Sequence, residues 1–136
     1  MIKRVSLGKE VVVLAKNEVG VLSKVASALA DRGINMTALS AQAAGGVALM
    51  NFTVDEHLRA CDLLRKKKFS VEENPVLILE VENKPGVLRQ ITRKLASARI
   101  DILNVYGSTP APYGVCTLVL STSSNTRALV VLKRGK

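Results

Sequence analysis

The sequence predicts an α+β fold made of two copies of one β-α-β-β-α unit. An internal repeat points to it first: residues 11–22 set against residues 77–88 at a spacing of 66, with Asn17/Asn83, Gly20/Gly86, Val21/Val87 and Leu22/Leu88 identical. Leu29/Leu95, Ala30/Ala96 and Ile34/Ile100 keep the same spacing, and Arg59-Ala60 meets Arg127-Ala128 at a spacing of 68. The two extra residues fall in a turn near Pro110 and Pro112 of the second copy. The second observation is that β-branched runs of strand length alternate with segments of helical period in both copies. Composition agrees: 48% of the 136 residues are hydrophobic and 23% charged, which describes a globular chain.

In the first copy, Val11–Lys16 reads as a strand. A helix over Val21–Arg32 places Leu22, Val25, Ala26 and Leu29 on one face, and Gly33 stops it. Ile34–Gln42 is the second strand. Gly45-Gly46 turns the chain into a third, Val47–Val54. A second helix over Glu56–Lys68 turns Leu58, Cys61 and Leu64 inward, and Phe69–Glu73 is a fourth strand. The second copy runs Val76–Glu82 (strand), Val87–Arg99 (helix, with Leu88, Ile91, Leu95 and Ala98 on one face), Ile100–Tyr106 and Val115–Ser121 (strands). Asn125–Lys133 is its last helix, although Ala128–Leu132 also has the composition of a strand.

The second copy therefore lacks a fourth strand. The first has a surplus: Ile2–Leu7 alternates like a strand ahead of Gly8-Lys9. This segment either fills the missing edge or is a frayed tail. The expected division is residues 1–74, with the extra strand at 2–7, and residues 75–136, joined near Asn74-Pro75.

Several function classes recede on composition. No apolar run reaches the ~18 residues that cross a bilayer, and no apolar h-region follows the charged N-terminus. Cys61 and Cys116 stand apart with only His57 in the chain, so a reducing cytosol and buried thiols are expected and no metal or cofactor is called for. Net charge is +9, with 11 basic and 8 acidic groups in residues 1–74 and 9 and 3 in residues 75–136. Arg65-Lys66-Lys67-Lys68 and Lys133-Arg134-Lys136 sit at equivalent helix ends, where cations favour the dipole; nucleic-acid contact is the alternative. Only two Phe and two Tyr are present, which leaves few platforms for base stacking.

The informative motif is the first strand–helix turn, Asn17-Glu18-Val19-Gly20-Val21-Leu22 and Asn83-Lys84-Pro85-Gly86-Val87-Leu88. Asn favours turns, Gly permits positive φ, and the helix that follows offers free N–H groups to an anion. These residues can bind; none does acid–base or nucleophilic chemistry.

Here the chain resembles the ACT domain family, whose first turn typically reads D/N-x-P-G-x-L. The second copy matches it fully; the first has Val19 in place of Pro. Gly33-Ile34-Asn35 matches a frequent G-I-N signal, where the second copy has Arg99-Ile100-Asp101. The resemblance covers essentially the whole chain and is to small tandem ACT proteins without a catalytic domain.

It implies two ferredoxin-like βαββαβ units with antiparallel sheets. It implies a non-enzymatic regulatory protein that binds a small molecule, of amino-acid type, where units meet. Carried over by position, the binding residues are Asn17, Glu18, Val19, Gly20, Val21 and Leu22, and Asn83, Lys84, Pro85, Gly86, Val87 and Leu88. The second strand of a neighbouring unit would add Asn35 and Met36, and Asp101 and Ile102, with Leu39 and Val105 as further apolar wall. The resemblance also implies a cytoplasmic protein with an allosteric role, a regulated enzyme as partner, and no cofactor. A unit of ~65 residues with few aromatics has little core, so a homodimer is expected. The RNA-recognition topology is the same, but its stacking aromatics are missing from the first strands. Acylphosphatases share the topology too, but the Arg that their first loop needs is absent from both turns.

Overall fold

In the computed structural model, which describes residues 1–108 and 114–134, ten elements follow in order. They are β1 (Ile2–Lys16), α1 (Val21–Ala30), β2 (Met36–Ala44), β3 (Val47–Val54), α2 (His57–Lys66), β4 (Ser70–Glu82), α3 (Val87–Ser97), β5 (Ile102–Ser108), β6 (Val115–Thr122) and α4 (Asn125–Lys133). The turn at Pro110 and Pro112, together with Tyr113 and Lys136, lies outside the described residues.

The chain forms two compact units. One is continuous, Lys9–Asn74; the other is split, Met1–Gly8 with Pro75–Lys136. In the continuous unit the strands run β2-β3-β1-β4. β1 and β3 are antiparallel from Val11↔Phe52 to Lys16↔Val47, and β2 pairs β3 antiparallel with a shift between Met36 and Ala38. In the split unit the order is β1-β4-β6-β5, with β4 and β6 antiparallel from Leu77↔Leu120 to Glu82↔Val115. Each order is that of a ferredoxin-like unit.

The first eight residues group with residues 75–136 rather than with 9–74, so the division at 1–74 is redrawn around them. Ile2 and Val5 are buried among Leu77, Leu79, Val81 and Ile91, and the Glu82 N–H donates to the Met1 carbonyl at 2.9 Å. Residues 2–8 thus stand in the split unit where residues 70–74 stand in the continuous one.

Gly8-Lys9 and Asn74-Pro75, read from sequence as breaks, lie inside the long strands β1 and β4. Gly8 is there for close approach: a Cβ would meet Ile78 Cδ1 at 2.7 Å. Pro75 donates nothing, and its carbonyl accepts from Asn125 Nδ2 at 3.0 Å.

Each core is one face of a sheet covered by two helices. Val11, Val13, Met50 and Phe52 alternate onto one face of the continuous unit and meet Val25, Leu29 and Leu64. The helical faces differ from the sequence expectation by one residue. In α1 the buried residues are Val21, Val25, Ala28 and Leu29, while Leu22 and Ala26 face solvent. In α2 they are Ala60, Cys61 and Leu64, and Leu58 is 71% exposed. In α3 they are Val87, Ile91 and Leu95; Leu88 is exposed and Ala98 only packs at the margin. The helices also end earlier than predicted. Gly33, Lys68 and Arg99 each take positive φ, and the next residue's N–H reaches back to the carbonyl of Leu29, Leu64 or Leu95. Val47–Val54 and Asn125–Lys133 have the predicted bounds, and the latter is helix.

On the other sheet face of the continuous unit, Glu10 is 1% exposed. Asn51 Nδ2 and Asn74 Nδ2 both donate to its Oε1, at 3.1 and 2.9 Å. A carboxylate can stay buried only with such partners.

Candidate ligand site at the strand–helix turns

Both turns have the same backbone. Gly20 (φ 89°) and Gly86 (φ 93°) sit in the left-handed region immediately before α1 and α3. Neither helix has a side-chain cap or an acidic residue in its first turn. A helix start of this kind keeps its partial positive charge for an incoming anion. The start of α4 differs, because Ser124 there accepts from the Arg127 N–H.

The turns are anchored alike. Asn17 N–H donates to the Gly46 carbonyl at 2.8 Å, and Asn83 N–H to the Gly114 carbonyl at 2.7 Å. Val21 and Val87 point into their cores; Leu22 and Leu88 are exposed beside the turns.

The charges differ. In the first turn Glu18 pairs with Lys24 at 3.5 Å, and Val19 is wholly exposed. In the second, Lys84 Nζ lies 2.8 Å from Glu82 Oε2, which holds the Glu82 carboxyl below the usual carboxylate range. Arg89 folds back so that its Nη2 is 3.6 Å from where a Cβ on Gly86 would stand. Asn83, Lys84, Pro85, Gly86, Val87, Leu88 and Arg89 line an open pocket of about 520 Å³. A carboxylate there meets a helix start, a lysine and an arginine.

The second-strand residues lie elsewhere within each unit. Asn35 N–H donates to Asp55 Oδ1 at 3.0 Å, and the Asp55 N–H to the Asn35 carbonyl. Asp101 N–H donates to Ser123 Oγ at 2.9 Å, and the Ser123 N–H to the Asp101 carbonyl. Met36 opposes Val54 and Ile102 opposes Thr122, the far ends of β3 and β6 from the turns. A strand of this length separates the two groups by about 25 Å. Met36 packs against the core, whereas Leu39 and Val105 are exposed.

A different cluster forms where α2 meets β4. His57 Nε2 lies 2.7 Å from Glu73 Oε1 and 3.7 Å from Cys61 Sγ. The histidine holds the Glu73 carboxyl below its ordinary range, and burial pushes the Cys61 thiol up. The spacing of His57 and Cys61, four residues apart on a helix, was the sequence signal for this pair; Glu73 comes from another element.

Phe52 is fully buried, so it offers no face to a base. Among the described residues, no helix is long and apolar enough to cross a membrane.

Residues 11–68 match the family model described as AHAS small subunit-like ACT domain. No curated protein sequence matches the chain. Among solved structures, protein BT0572 from Bacteroides thetaiotaomicron is similar at 24% identity and TM-score 0.88, over 96% of this chain and 89% of that one. The regulatory subunit of aspartate kinase from Thermus thermophilus, in ligand-free form, is similar at 18% identity and TM-score 0.68. The alignment covers 98% of this chain and 97% of that one. The same subunit from Thermus flavus has 18% identity and TM-score 0.65 at the same coverage. At these identities the likeness is one of fold.

Proposed function

We propose that this chain is a non-catalytic regulatory protein of the ACT-domain type that binds an amino acid at its strand–helix turns, a reading supported by the match of residues 11–68 to an ACT-domain family model. The observation that carries the proposal is the pocket at Asn83–Arg89, opened by an uncapped helix start and flanked by Lys84 and Arg89. The α-carboxylate sits on the first N–H groups of α3, and the ammonium faces Glu82 or the Asn83 side chain. Each charge-assisted contact contributes about 1.5–3 kcal/mol, so two or three give a modest affinity. Two structures of the same fold are regulatory subunits of aspartate kinase, which supports a regulated enzyme as partner. In this reading a homodimer completes the site: the second-strand residues Asn35, Met36, Asp101 and Ile102 of a neighbouring unit close it. The ligand then shifts the balance between two packings, which the enzyme reads.

The test is a thermal-shift screen against the twenty amino acids, each also offered as its carboxamide. A ligand at 100 times its Kd stabilises the fold by about 2.7 kcal/mol. The expected result is a rise in Tm with one amino acid or a small set, lost with the carboxamide. No shift with any amino acid overturns the proposal.

A further inference from the structure

We propose that His57, Cys61 and Glu73 form a binding site for a divalent metal ion of the zinc class on the continuous unit. The ligand atoms of the three side chains all lie within 4.8 Å of one another. His57 and Cys61 are one helical turn apart on α2, so both project from one face toward β4, which supplies Glu73.

The distances suit such an ion. Bonds of about 2.0–2.1 Å to nitrogen and 2.3 Å to sulfur at tetrahedral angles set nitrogen and sulfur about 3.6 Å apart. His57 Nε2 and Cys61 Sγ are 3.7 Å apart. The same geometry sets nitrogen and carboxylate oxygen about 3.3 Å apart. His57 Nε2 and Glu73 Oε1 are at 2.7 Å, a separation set by the proton between them. Metal entry displaces that proton, and the carboxylate retreats by roughly half an ångström.

The surroundings suit it as well. Arg65 Nη2 lies 3.6 Å from Glu73 Oε2, which restrains that oxygen and leaves Oε1 for the centre. The Arg65 guanidinium is itself tied to the Val71 carbonyl at 3.3 Å. Cys61 is buried, while the His57 and Glu73 side chains are 19% and 30% exposed, so an ion can enter from their side. Thiolate, imidazole and carboxylate together favour zinc over magnesium or calcium, which prefer all-oxygen sites. Three protein ligands leave a fourth position for water. Binding releases the thiol proton of Cys61, and His57 coordinates as a neutral imidazole through Nε2 with its one proton on Nδ1. The bound ion ties α2 to β4, two elements otherwise joined here by side-chain contacts.

The experiment uses the full chain, stripped with a chelator and titrated with Co2+ and then Zn2+. The expected result is a thiolate-to-cobalt charge-transfer band that saturates at one equivalent and is bleached by zinc. Cys61→Ser should abolish the band, and His57→Gln and Glu73→Gln should each weaken zinc by at least about tenfold against a chromophoric chelator. Cys116→Ser, which changes the buried thiol of the other unit, should leave both unchanged. Circular dichroism establishes that each variant is folded; His57 and Glu73 are accessible enough for their changes to leave the fold intact. No charge-transfer band in the parent chain overturns the site. So does a band that survives in His57→Gln and Glu73→Gln with undiminished affinity, or one lost in Cys116→Ser.

Discussion

The continuous and the split unit reach the same strand order by different routes. Residues 9–74 supply all four strands of the first in one stretch. The second takes three from residues 75–136 and the fourth from residues 2–8, whose Ile2 and Val5 complete its core. The turns differ in a second way. Gly20 and Gly86 hold the same conformation, yet the first turn carries Glu18 and the second Lys84 and Arg89. Backbone and charge have thus been set separately. The backbone builds two helix starts of equal shape, and the charges round them are arranged differently: Glu18 pairs with Lys24 at the first, while at the second Lys84 pairs with Glu82 and Arg89 folds back toward Gly86.

Removing residues 1–7 should break the comparison most visibly. It strips Ile2 and Val5 from the split core, at about 1.5–3 kcal/mol each. Urea unfolding followed by hydrogen exchange should show β6 amides losing protection while β3 amides keep theirs. Equal loss in both units would mean that the two stand or fall together.

Next come the glycines. Gly20→Ala and Gly86→Ala should each cost about 1–2 kcal/mol, because both sites are left-handed. In the thermal-shift assay, only Gly86→Ala should lose most of the ligand response. The helix ends sharpen the contrast. Gly33 closes α1 at φ 68°, while Arg99 closes α3 at φ 57°. Arg99→Gly should therefore stabilise the split unit by about 1 kcal/mol in urea unfolding; no gain would show that the arginine side chain offsets its strain.

Exchanging the charges has a smaller effect. Lys84→Glu should weaken carboxylate binding by about 0.3–1 kcal/mol, or roughly two- to fivefold, and Glu18→Lys should strengthen it at the first turn. Competition by salt should follow the same order. The smallest effect is on pH. Lys84 lowers the Glu82 carboxyl from its ordinary value near 4.5, so this pair stabilises the fold above that value. The contribution disappears as pH falls through the lowered value. Lys84→Met should flatten that acid limb and lower the melting temperature by a small constant amount above about pH 6, where the slope of the curve stays the same.

Much of this fold was legible in the sequence because the repeat fixed equivalent positions before any element was assigned. Asn17/Asn83 and Gly20/Gly86 located both turns and their role as helix starts. The helical faces were harder. Val21-Leu22 and Val25-Ala26 are apolar at adjacent positions, so two phases fit the same period, and the depth of the turn decides between them. Leu58 misled in the same way beside Ala60 and Cys61. Arg99 departs from the Gly33 pattern in residue type but keeps its backbone, which sequence alone could not reveal. The meeting of Glu73 with His57 depends on how β4 passes α2, a tertiary fact. Of the turn site, the residues of each loop were legible, whereas the separation of Asn35 and Asp101 from those loops came from strand register.

The long strand β1 also imposes an order of events during synthesis. Residues 1–8 leave the ribosome ahead of the rest of the split unit, yet Glu82, whose N–H pairs with the Met1 carbonyl, is more than seventy residues behind. At about 5–20 residues per second the wait lasts several seconds. Over that interval Ile2 and Val5 are an apolar strand without a sheet, and residues 9–74 can fold. Their folding shortens the effective loop that must close, which lowers the entropic cost of the final pairing. The segment most exposed to a chaperone, a protease or a neighbouring nascent chain is therefore the one that later completes the split unit.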